Sequence, residues 1–152
     1  RTGRLPLNTF LRSLIGSPAM HDDSIQEQLI YLSLLADQKT DAMLAIVRNR
    51  RQHEPQNVYL RFLEALAMHK TGANATDAAS LLVPLPRHRW HQGEAAVIAS
   101  ILASSGQIDR SAPLAAQIDP AQLFAEEKSL FTPWQARFGM HAEALVGSVG
   151  SE

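Results

Sequence analysis

Two glycines thirty-four residues apart, Gly72 and Gly106, constrain the fold of this chain more than any other feature. Each ends an alanine-rich stretch whose apolar residues recur at helical spacing, and each is followed by another such stretch. Glycine adopts the left-handed conformation that ends a helix at little cost. A sequence period of about this size is the mark of helical hairpins stacked one on the next.

Cap and stop signals divide the rest of the chain in the same way. Asn8 caps an apolar leader helix through Phe10, Leu11, Leu14 and Ile15, stopped by Gly16, Ser17 and Pro18. Ser24 and Glu27 have the spacing of a capping box that opens a helix to about Asp37. Thr40 and Asp41 start its partner, which ends in Arg48, Arg50, Arg51 and His53, where the helix dipole favours cations. Pro55 suits the first turn of a third helix, with Tyr59, Phe62, Leu63 and Leu66 on one face. Thr76 or Asp77 caps a fourth, continuing through Leu81 to Val83 before Pro84 and Pro86. A fifth runs from about Glu94 to Ser104, and a sixth from Asp109 to about Ile118. Asp119-Pro120 and Thr132-Pro133 each pair an N-cap with a proline at the first helical position. The second of these opens a last helix to about Val146. The expectation is an all-α fold of about eight helices in antiparallel pairs. Residues 1–18 form a leader, 19–146 the helical domain and 147–152 a flexible tail.

Composition excludes several classes of function. At 152 residues, with 45% hydrophobic and 19% charged residues, the chain can bury a core without metal or disulfide. There is no cysteine, so thiolate metal sites and thiol catalysis are excluded and redox logic says nothing about compartment. Cytoplasm and periplasm both stay open, and a first residue of Arg1 suits a fragment whose targeting segment has been removed. A formal net charge of −1 provides no global attraction to nucleic acid, which would need a local basic patch. No apolar run approaches the roughly 20 residues of a membrane span.

Sliding the sequence by 34 positions superimposes Ala65 on Ala99, Met68 on Leu102, Gly72 on Gly106, Ala78 on Ala112 and Pro86 on Pro120. Sliding it the other way sets Leu34, Leu44 and Val47 under Met68, Ala78 and Leu81. In this the region from about Ser24 to Ile118 resembles the tetratricopeptide repeat family. The resemblance implies antiparallel helix pairs stacked into a short right-handed solenoid with a concave groove that binds another protein or a peptide. The sequence departs from the family at Gln38, which stands where a turn glycine is expected, and at Arg61 and Glu64, which replace apolar packing residues.

Chemistry-bearing constellations are few. His88 and His91, three apart, would share a helix face but lack a third ligand in their segment, so no metal is expected. Adjacent carboxylates at Asp22-Asp23 and Glu126-Glu127 do not face each other on a helix. No nucleophile, phosphate-loop or dinucleotide motif occurs, so neither a catalytic residue nor a cofactor is expected. The candidate binding residues are Tyr59, Phe62, His69 and Lys70 on the third helix, with Arg48, Arg51, Arg87 and Arg89 from two basic clusters. The functional expectation is a non-catalytic scaffold for protein or peptide binding, with homo-oligomers among the arrangements left open. The alternative is an anion or nucleic-acid module built on the clusters at 48–53 and 87–91.

Overall fold

The computed structural model describes residues 23–85 and 87–150, with side chains through 143. The leader helix expected at residues 8–15 and the stop at Pro86 lie outside the described residues. Seven α-helices and one turn of 3-10 helix are present among them, and no strand. The helices are α1 (Asp23–Leu35), α2 (Thr40–His53), α3 (Val58–Lys70), α4 (Ala75–Ser80), α5 (Gln92–Ser104), α6 (Ile108–Ala115) and α7 (Ala125–Gly150), with the 3-10 turn at Pro120–Gln122. The chain divides into two compact units, Arg1–His88 and Arg89–Glu152.

A common turn ends α1, α3 and α5, each thirteen residues long. After α3, the Gly72 N–H donates to the His69 carbonyl at 3.3 Å and the Ala73 N–H to that of Met68 at 3.0 Å. After α5, Gly106 donates to Ala103 at 2.9 Å and Gln107 to Leu102 at 3.0 Å. This is the Schellman arrangement, and both glycines hold the positive φ it requires, 79° and 84°. After α1 the same pair of bonds runs from Asp37 to Leu34 and from Gln38 to Ser33, at 3.2 and 2.9 Å. Here the left-handed residue is Asp37, with φ 55°, rather than the Gln38 marked by a strict 34-residue slide. Aspartate is among the few side chains that tolerate this conformation.

In the first unit, α1 packs on α2 and α3, α2 on α3, and α3 on α4. Its core is built from Tyr31, Leu34, Leu35, Leu60, Phe62, Leu63, Leu66 and Leu82, all essentially inaccessible. Burial of side chains this size contributes about 1.5–3 kcal/mol each before entropy is subtracted. In the second unit, α5, α6 and α7 pack pairwise around Ala96, Ala99, Ala103, Ala115, Phe131 and Phe138.

Several expected boundaries move, each for a local reason. Helix α1 is described from Asp23 onward, and Glu27, expected in a capping box with Ser24, accepts on Oε1 from Arg50 at 3.1 Å and Asn57 at 2.9 Å. Helix α3 starts at Val58 instead of near Pro55, because the Asn57 side chain accepts the N–H groups of Tyr59 and Leu60. Asn74, rather than Thr76 or Asp77, caps α4, which ends at Ser80 before Leu81 and Val83 are reached. Asp119 caps only the 3-10 turn. Thr132-Pro133 opens no new helix; α7 runs through Pro133 as one helix of 26 residues and continues to Gly150 through the start of the expected tail. The helix count is therefore seven among the described residues, not eight.

Candidate binding surfaces

The first basic cluster is taken up by carboxylates of its own unit. Glu64, largely buried on α3, receives Arg48 Nε on Oε1 at 3.2 Å and Arg51 Nη1 on Oε2. Arg50, largely covered, bridges Glu27 on α1 and Glu54 at the end of α2, both at 3.1 Å. The hydrogen bond from Arg50 and the positive charge around it hold the Glu54 carboxyl below its usual 4.5. Three arginines and three glutamates thus pair at the α1–α2–α3 contacts, and Glu64, a departure from the apolar family pattern, is the residue that ties α2 to α3.

The aromatic candidates lie in the core. Phe62 is fully buried, with its ring 5.7 Å from Tyr31 and 5.5 Å from Tyr59. Tyr59, also buried, takes a hydrogen bond from Gln28 and meets the His88 ring at 5.6 Å. Lys70 pairs with Asp37 at 3.2 Å, linking the end of α3 to the turn after α1. His69 is half-buried, and desolvation followed by the Lys70 charge lowers its pKa from 6.5. Arg87 and Arg89 are exposed, at the end of the first unit and the start of the second. The structure therefore gathers Arg48 with Arg51 and Tyr59 with Phe62, but in each case around packing or ion-pair partners within the unit.

A concave surface lies where no binding residue was expected from the sequence. In the second unit a cleft of about 480 Å³ opens between α6 and α7. Its floor is apolar, formed by Ala112 and Ala115 of α6 and Phe131 and Phe138 of α7, whose rings stack at 5.6 Å. Ala116, Gln135 and Gly139 line it further out. Asp109 stands at its edge, with Oδ1 3.5 Å from His141 Nδ1. Small residues on α6 create this space. Counted from the first residues of their helices, Ala116 is the counterpart of Arg48, and Phe131 that of Glu64. Where the first unit fills the junction with long ion-paired side chains, the second leaves an open apolar trough. The signal was present as Phe131, Gln135, Phe138 and Ala142 at helical spacing, but a helix break expected at Thr132-Pro133 hid it.

Among the described residues no three metal-ligating side chains come together, and no helix is long and apolar enough to cross a membrane. The chain matches no family model, no curated protein and no solved structure.

Proposed function

We propose that this chain is a tetratricopeptide-like helical-repeat scaffold that binds another polypeptide, without chemistry of its own, and that the α6–α7 cleft is its working surface. The observation that carries the repeat reading is the recurrence of one local design: thirteen-residue helices starting at residues 23, 58 and 92, each ended by the same two-bond turn. The carrier of the binding reading is the cleft, since an apolar trough between two helices is the shape that accepts an amphipathic helix or a short apolar peptide. Ion pairing within the first unit leaves Arg87 and Arg89 as the exposed candidates for an anion. That makes the cleft the better-supported surface.

The test is selection of a displayed library of helical peptides against the full chain, with counter-selection against Ala116→Arg. Residue 116 is exposed and ends α6, so an arginine there blocks the trough without disturbing the core. Peptides with apolar residues at i, i+3 and i+4 that bind the parent chain and lose at least about tenfold on Ala116→Arg are expected. Failure to enrich any cleft-dependent peptide would remove the proposal.

A further inference from the structure

The α6–α7 cleft has one charged end, and that end identifies the chemistry of its partner. We infer that the partner is a basic amphipathic helix, whose apolar face rests on Phe131 and Phe138 and whose lysine or arginine pairs with Asp109. The inference rests on the binding reading above and adds the sign and the place of the partner's charge.

Asp109 is the second residue of α6 and His141 lies late in α7, and their side chains meet at 3.5 Å, so the two helices run in opposite directions. From this pair the trough passes Ala112 and Ala115 to Ile118 and Pro120, beyond the end of α6. Both walls are helices whose backbone groups are bonded within themselves, so an extended peptide finds no sheet edge to pair with, whereas a helix satisfies its own backbone. The eight residues of α6 span about 12 Å, which two to three turns of a partner match with apolar residues at i, i+3, i+4 and i+7.

Charge selects among such helices. Asp109 is the carboxylate among the described residues that line the cleft, and none of those residues is a lysine or arginine. Its side chain is 91% exposed, open to a partner. His141 stands beside it, and an unprotonated imidazole leaves the carboxylate charge uncompensated. Arg110 follows Asp109 directly in α6, and sequence neighbours do not share a helix face. Arg137 of α7 holds its guanidinium 5.3 Å from the centre of the Trp134 ring. The unit Arg89–Glu152 agrees in sign, with four Lys and Arg against seven Asp and Glu, so an acidic partner meets like charge. The corresponding junction of the first unit closes the same chemistry within one chain. There Arg48 and Arg51 reach from α2 to the Glu64 carboxylate on α3. At the α6–α7 junction Ala116 and Phe131 hold the places of Arg48 and Glu64, so the room of a long basic side chain is open and an aromatic ring borders it. The methylene stem of a lysine or arginine packs on such a surface while its head stays in water.

A displayed library of helical peptides, with the apolar stripe fixed and every other position random, tests this on the full chain. Ala116→Arg serves for counter-selection, at about pH 8 so that imidazoles are neutral. The expected result is enrichment of Lys and Arg over Asp and Glu at one end of the stripe. For a recovered peptide, Asp109→Asn should weaken binding about two- to fivefold, mostly through slower association and less so at about 0.5 M salt. With the peptide's cation already replaced by glutamine, Asp109→Asn should have no effect. Asp109→Arg should cost at least about tenfold and regain binding when the peptide's cation is exchanged for glutamate; that recovery also shows the variant folded. Cleft-dependent peptides without an excess of cations overturn the inference, as does a cation preference that Asp109→Arg leaves unchanged; in both cases the cleft reading stands. If no cleft-dependent peptide is enriched, both fall.

Discussion

Single residues decide where helices in this protein stop and how closely they approach. Gly93, the second residue of α5, lies under the fully buried Glu127 carboxylate, which occupies the space a Cβ would need. Glu127 Oε1 also accepts the Phe124 N–H at 2.8 Å, closing the first turn of α7, so it has little freedom to yield. Gly93→Ala should therefore destabilise the fold by about 2–3 kcal/mol, as overpacking against a fixed group does. Gly139 is a contrast within the same unit: a Cβ there meets nothing within 4 Å and the residue is helical. Gly139→Ala should stabilise by about 0.5–1 kcal/mol through helix propensity alone. Denaturant midpoints of the two variants moving in the same direction would refute this account. His69 adds a dependence on pH. Its folded pKa lies below the 6.5 of the unfolded chain, so the unfolded state takes up the proton first and stability falls as pH drops through that value. Thermal midpoints of His69→Gln should change less than those of the parent chain between about pH 7 and 5.5. Parallel curves would show that the imidazole is not the group responsible. Glu54, held low by Arg50, contributes in the more acidic window below 4.5.

At the scale of elements, burial pattern overrides local grammar. Thr132-Pro133-Trp134 reads as a cap followed by a first-turn proline, yet α7 passes through it. Phe131 and Phe138 both belong to the core of the second unit, and only a continuous helix sets them two turns apart on one face. Pro133 is exposed, so its ring meets solvent, and the cost is one missing backbone hydrogen bond and local crowding. Pro133→Ala should then stabilise by about 1–3 kcal/mol, with no change in helix boundaries by NMR secondary shifts. A loss of stability would mean that Pro133 makes contacts that outweigh its missing hydrogen bond. The same competition explains which parts of the fold were legible in the sequence. The turns at Gly72 and Gly106 could be read because only glycine takes that backbone conformation freely. The turn at Asp37 could not, because an aspartate there looks like any polar loop residue. The all-helical class and the strongly periodic stretch from Tyr59 to Leu66 followed from apolar spacing. The cleft was hidden because it arises from what α6 lacks: Ala112, Ala115 and Ala116 read as packing residues until their partners on α7 are placed.

For the molecule as a whole, burial is shared unevenly among the helices. Helix α3 buries eight of its thirteen residues and α5 ten of its thirteen, whereas α2 buries only Val47 of fourteen. The most buried helix of each unit, α3 or α5, thus carries much of its core, while the outer helices α2 and α6 bury far fewer residues. Opening an outer helix exposes little surface and leaves the centre intact, so its amides are expected to exchange through local openings, those of the centre only through unfolding of the unit. Hydrogen exchange should therefore rank α3 slower than α2 within the first unit and α5 slower than α6 within the second, by about tenfold or more, a difference of at least 1.4 kcal/mol in opening free energy. Equal protection across a unit would mean that its helices open together and that burial does not set the order. The ranking also makes the cleft a place where a ligand has leverage. One wall is α6, a short helix with Pro113 inside it and only Ser111 and Ala115 buried, so a helix seated in the trough adds apolar contact where the unit has least. Exchange in α6 should then slow on binding while α5, already limited by unfolding of the unit, changes only by the increment that the ligand adds to global stability.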